Sequence, residues 1–135
     1  MRATGTFSVK SFVPTEVVPD PAVTTALPVG VALMEKLFEG EISGRAATVF
    51  TSAFDQEKGV GTYLAMESFE GTVAGKAGAF NFVHSASTSG TDRTDTFFSI
   101  VTGSGTGALA GISGSGDITI DADGTHRIEF DYTLP

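Results

Sequence analysis

Two ionisable side chains stand in segments whose neighbours are apolar and β-prone: Glu67, within Leu64-Ala65-Met66-Glu67-Ser68-Phe69, and His84, which follows Phe80 and Phe82 at alternate positions. Side chains alternate across a strand, so Phe80, Phe82 and His84 share one face, and Tyr63, Ala65, Glu67 and Phe69 share another. If those faces are internal, the imidazole is partly desolvated and keeps a usable lone pair near neutral pH, which is what a general base or a ligand acceptor requires. A carboxylate on such a face has to be paired or hydrogen-bonded, and His84 on an adjacent strand is the partner the pattern offers. Two readings of the pair follow: an architectural polar contact near a barrel rim, or a polar anchor beside a cavity. No catalytic residue is assigned. His84 and Glu67 are the candidates, with Tyr63, Phe69, Phe80 and Phe82 as candidate walls of a ligand site.

Other motifs fail on their own chemistry. Gly105-Thr106-Gly107-Ala108-Leu109-Ala110 matches G-x-G-x-x-A, yet its glycine-rich continuation cannot open the helix that would present amides to a pyrophosphate. Gly71 to Lys76 has the wrong glycine spacing for a phosphate loop, and Ala77 stands where a magnesium-binding hydroxyl would be, so a hairpin turn is expected there. Asp121 and Asp123-Gly124 hint at a calcium loop, but Thr119 and Phe130 fall at its first and last ligand positions. With His84 and His126 far apart and no cysteine, no metal site or cofactor is expected. No G-x-S-x-G elbow occurs.

The elements that would hold these residues are strands. Period-two alternation is clearest at the end, where Ile128, Phe130, Tyr132 and Leu134 fall on one face and Arg127, Glu129, Asp131 and Thr133 on the other. The same pattern runs through Val31 to Phe38, Ala46 to Phe54, Gly61 to Phe69, Ala79 to Ser85, Thr96 to Val101 and Asp117 to Ile120, with an opening strand from Ala3 to Phe12. No long stretch has helical spacing. Glycines recur between the strands, as in Phe38-Glu39-Gly40 and Phe69-Glu70-Gly71, with a looser echo at Leu109-Ala110-Gly111, and Asp123-Gly124 is a hairpin signal. The expectation is an all-β fold: a single domain over 1–135, a closed antiparallel barrel of about eight strands, mainly up and down. Four of the five prolines lie between Pro14 and Pro28, so 13–29 reads as a long loop across one end, either a lid or a solvated connector.

Several segments together resemble the DUF3224 family: Ala3-Thr4-Gly5-Thr6-Phe7-Ser8-Val9-Lys10-Ser11-Phe12, Met66-Glu67-Ser68-Phe69-Glu70-Gly71-Thr72, Gly75-Lys76-Ala77-Gly78-Ala79-Phe80, His84-Ser85, and Gly103 to Gly111. The similarity spans nearly the whole chain. It implies an eight-stranded barrel of the allene oxide cyclase type whose interior can hold a small molecule, and a biochemical role that is not established. Phe12 stands where family members often carry Trp. Ser68 stands where they often carry Arg after the central Glu, which argues against a charge pair at that point.

The formal net charge is -8, and Lys and Arg are scattered singly, so neither nucleic acid nor an anionic membrane surface is an expected partner. No apolar run approaches the ~20 residues of a membrane helix, and a soluble, cytoplasmic protein is the expectation. Three functional readings follow. The first is a barrel that binds a small, largely apolar molecule, anchored by His84 and Glu67. The second, suggested by the family comparison, is an isomerase or cyclase of a small hydrophobic substrate in which one of those residues moves a proton. The third is a structural or interaction module, including a homo-oligomer, associating through strands such as Val31 to Phe38 that are apolar on both faces.

Overall fold

The computed structural model describes residues 1–135 and shows eight antiparallel strands closed into a ring in sequence order. They are β1 (Arg2–Pro14), β2 (Val29–Gly40), β3 (Ile42–Asp55), β4 (Val60–Val73), β5 (Lys76–Ser89), β6 (Asp92–Ile100), β7 (Ser113–Ile120) and β8 (His126–Thr133). Each sequence-derived strand lies within one of these or extends it by a residue. Pairing of β1 with β8 closes the ring, so every strand has a neighbour on both sides, although residues 92–98 of β6 lie beyond the reach of β7. The seam between β6 and β7 is the thinnest, with Ser99 opposite Ser115 and Ile100 opposite Gly114.

Glycine corners let the long strands turn. Gly44 and Gly71 face one another across β3 and β4, at φ 146° and 156°. A Cβ on Gly71 would fall 2.0 Å from the Ser43 carbonyl oxygen, so the backbones touch where side chains would otherwise hold them apart. The Gly71 to Lys76 segment is a hairpin, with Ala74 and Gly75 both at positive φ between β4 and β5. Asp123-Gly124 turns β7 into β8, with Gly124 N–H donating to the Asp121 carbonyl.

The barrel has a plugged end and an open end. At the plugged end, Ala3, Ile42, Val73, Phe69, Phe80, Phe130 and Tyr132 are buried together. The β6–β7 connection folds over them through a short 3-10 turn at Gly107–Leu109, placing Leu109 and Ile112 at zero exposure. Each such buried side chain contributes about 1.5–3 kcal/mol of burial free energy. The sequence pattern did not show this plug, because its apolar residues are two in a glycine-rich run and follow neither strand nor helix periodicity.

At the open end, β1 runs on to Pro14 and β2 begins at Val29, so the connector is 15–28, slightly shorter than the expected 13–29. It is tied down by Thr15, whose N–H and hydroxyl both donate to the Val31 carbonyl, and by Phe54 N–H donating to Pro28. Outside, an apolar band crosses neighbouring strands: Leu33 pairs with Val49 and Val49 with Met66, while Leu64 and Phe97 flank Ser85. Leu33, Val49, Leu64, Met66 and Phe97 are all exposed. No helix is long and apolar enough to cross a membrane.

Candidate functional site

Halfway along the barrel the apolar packing gives way to a polar layer. Lys36 on β2, Thr48 on β3, Glu67 on β4 and His84 on β5 all point inward and are buried, Glu67 completely. Their elements explain the meeting: Thr48 lies opposite Glu67 in the β3–β4 register, and His84 sits diagonal to Glu67 across the β4–β5 pair. Glu67 Oε2 accepts from Lys36 Nζ at 2.5 Å and from His84 Nε2 at 2.6 Å, while Oε1 accepts from the Thr48 hydroxyl at 2.6 Å. The carboxylate therefore has partners on both oxygens, which a buried charge requires.

From His84 the chain of contacts continues toward the open end. The Tyr63 hydroxyl is 2.8 Å from His84 Nδ1, and Arg93 Nη2 donates to the Tyr63 oxygen at 3.0 Å. Since the Glu67 carboxylate can only accept, Nε2 carries the proton of the neutral ring, the remaining imidazole nitrogen accepts, and Tyr63 is its donor. Burial pushes the His84 imidazole below its ordinary value against the opposing hydrogen bond to Glu67, with Lys36 adding to the depression. The imidazole is thus neutral near pH 7. Burial pushes the Glu67 carboxyl up, but the hydrogen bonds from His84, Lys36 and Thr48 and the Lys36 charge outweigh it, so it sits below its ordinary value. Burial also pushes the Tyr63 phenol up, against the hydrogen bond and charge of Arg93.

A cavity of about 280 Å³ lies on the other side of Tyr63. Its lining includes Phe12, Phe50, Phe54, Tyr63, Ala86 and Thr88. The Phe50 and Tyr63 rings stack at 5.2 Å, and Phe12 meets Phe50 edge-on at 5.7 Å. None of Lys36, Thr48, Glu67 or His84 lines this space, so Tyr63 alone joins the buried polar layer to the cavity. A larger depression, about 700 Å³, lies around Thr4, Glu39, Asp117 and Arg127. It has one apolar residue in its lining and is remote from the polar layer, whereas small-molecule sites are mainly apolar with a few placed polar groups.

Of the sequence-derived site residues, the structure brings Tyr63, Glu67 and His84 together. Phe69, Phe80 and Phe82 do not line the cavity. They are buried in the plugged half, with Phe69 and Phe80 at 5.3 Å and Phe82 and Phe130 at 5.4 Å between ring centres. Inward rings fill this half of the barrel, which at eight strands is narrow enough for side chains alone to close it, and the aromatic walls of the cavity are instead Phe12, Phe50 and Phe54 near the open end. The connector 15–28 contributes no lining residue, so the structure gives no lid over the cavity.

Comparison with known proteins places the chain in a family. A model of the family described as "Protein of unknown function (DUF3224)" matches residues 3–132. The chain belongs to the DUF3224 family. A crystal structure of a DUF3224 protein of unknown function from Shewanella oneidensis MR-1 is similar to it over the whole chain and 98% of the other, with a TM-score of 0.83 and 28% sequence identity. No curated protein matches this DUF3224 chain. For a DUF3224 barrel, function therefore has to be argued from the site itself.

Lys36, Thr48 and Arg93 were not singled out by the sequence. A parity signal existed for Lys36, which falls among Ala32, Met34 and Phe38 on an otherwise apolar face of its strand. For Arg93 there was none: Arg93 and Phe98 have opposite parity, and both turn inward only because the β5–β6 register shifts between Ser85 and Ser87.

Proposed function

We propose that this DUF3224 protein binds a small, largely apolar molecule at the open end of its barrel. The observation that carries the reading is the position of the aromatic-lined cavity directly over Tyr63, the outermost member of the hydrogen-bonded chain Tyr63–His84–Glu67. Phe12, half exposed at the rim, and Phe50 and Phe54 supply apolar contact surface, and the Tyr63 oxygen supplies a polar point for orientation. The buried ion pair beneath serves as a rigid floor. If proton transfer accompanies binding, Tyr63 is the group facing the substrate, and His84 and Glu67 act through it.

The test is titration of isotope-labelled protein with 4-phenylbutanol, followed by NMR. Shifts confined to Phe12, Phe50, Phe54, Tyr63 and Ala86, and abolished by F50W, support the reading. Shifts scattered over the outer wall, or unaltered by F50W, refute it.

A second reading rests on a separate observation. The exposed band of Leu33, Val49, Leu64, Met66 and Phe97 carries no charged side chain on a protein of net charge -8. Two identical acidic chains repel least where they meet through a neutral, apolar surface. We infer self-association through this face, which sedimentation of the parent and of L64E/M66E distinguishes: a dimer lost in the variant supports it, and a monomer at high concentration rules it out.

A further inference from the structure

Arg93 lacks the counter-ion that every other arginine of the chain has. Arg2, Arg45 and Arg127 each pair with a carboxylate, Glu129, Glu70 and Asp121 respectively, although all three lie at the surface. Arg93 is more buried than these, yet its one side-chain partner is the neutral Tyr63 hydroxyl. Its Nε is buried with no acceptor at all. Its guanidinium carbon lies 5.6 Å from the centre of the Tyr63 ring, and its backbone pairs with Thr88, so it adjoins two residues of the cavity lining.

Charge inside the barrel is correspondingly unbalanced. Lys36 and Arg93 are cationic, Glu67 is anionic, and His84 and Tyr63 are neutral near pH 7, which leaves one uncompensated positive charge at the cavity end of the chain. An arginine held by a tyrosine, with unused donors and no carboxylate of its own, is the fork that recognises a carboxylate.

Resting on the binding site proposed above, we infer that the ligand is an apolar monocarboxylate, with its carboxylate on Arg93 and its hydrocarbon or aromatic body against Phe12, Phe50 and Phe54. A monoanion neutralises the excess charge, whereas a dianion would overcompensate it in a partly desolvated setting. The buried Lys36–Glu67 pair contributes here by exclusion: with Lys36 already matched, the carboxylate goes to Arg93. The rim at Phe12 stays open for the apolar end.

The experiment compares three compounds of one shape, 4-phenylbutyrate, 4-phenylbutyramide and 4-phenylbutanol, by calorimetry on the intact protein, with phenyl phosphate as a dianion control. The expected result is that the carboxylate binds about tenfold or more tightly than the amide or the alcohol. R93Q should erase that preference, so that the three compounds bind the variant with about equal affinity. Equal affinity of the parent for the three compounds overturns the carboxylate assignment and leaves the cavity reading intact. Binding of none overturns both, and tighter binding of phenyl phosphate overturns the monoanion. Because the comparison among compounds is made first on the unaltered protein, it holds even if R93Q does not fold.

Discussion

His84 donates a hydrogen bond through Nε2–H to Glu67 across 2.6 Å, and this bond leaves Nδ1 as the nitrogen that accepts from Tyr63. The neutral Nε2–H tautomer is therefore expected to dominate. Long-range nitrogen–proton NMR should show Nε2 as the protonated nitrogen and Nδ1 as the bare one at pH 7.5. Y63F should remove the donor to Nδ1 and cost about 1 kcal/mol of stability. An Nδ1–H tautomer would contradict the assigned direction of the chain.

The Lys36–Glu67 pair makes a non-additive prediction. E67Q leaves the Lys36 ammonium buried without a counter-charge and should destabilise the barrel by about 3–5 kcal/mol. K36M/E67Q removes both charges and should cost less than E67Q alone, as read from urea unfolding. A double variant as costly as the sum of its singles would show that the two side chains do not act as a pair.

Within the buried polar layer, two shifts of the same sign set the pH dependence. His84 titrates lower in the folded protein than its ordinary 6.5, and Glu67 lower than its ordinary 4.5. In both cases the unfolded chain binds more protons between the two values, so stability rises with pH. The His84 contribution is complete above pH 6.5 and is lost as pH falls below it. The Glu67 contribution is complete above pH 4.5 and is lost as pH falls through the depressed value. Thermal melts across acid pH should show the midpoint falling in both windows, and H84Q should shrink the upper one to the part left by His126, which burial also lowers. A midpoint independent of pH between neutrality and pH 5 would contradict a neutral, buried His84.

The glycine corner at Gly44 and Gly71 yields a stability prediction independent of the site. G71A should cost about 1–3 kcal/mol through strain at a positive φ and collision with the Ser43 carbonyl. G30A, where an added Cβ meets nothing within 4 Å, should change stability by less than about 0.5 kcal/mol. Equal effects at the two positions in denaturant unfolding would remove the close backbone approach from the account.

The strands were legible because one side of the sheet is buried, and burial writes itself as alternation: Ile128, Phe130 and Tyr132 are all interior, as their spacing requires. Glu67 and His84 were legible for the same reason, as ionisable residues on faces otherwise occupied by aromatic side chains and alanine. What alternation could not supply was depth along the barrel. Phe80 and Phe50 have the same inward parity, yet one is sealed under the plug and the other borders the cavity, because closure at one end depends on Leu109 and Ile112 in an irregular segment. Arg93 stayed hidden behind a register shift, since a bulge reverses the correspondence between residue number and face.

The most direct measurement is a crystal structure of the protein grown with 4-phenylbutyrate. The phenyl group is expected among Phe12, Phe50 and Phe54, with a carboxylate oxygen within hydrogen-bonding distance of the Arg93 guanidinium. A compound seated on the outer wall, or an open end that remains empty at saturating concentration, would contradict it.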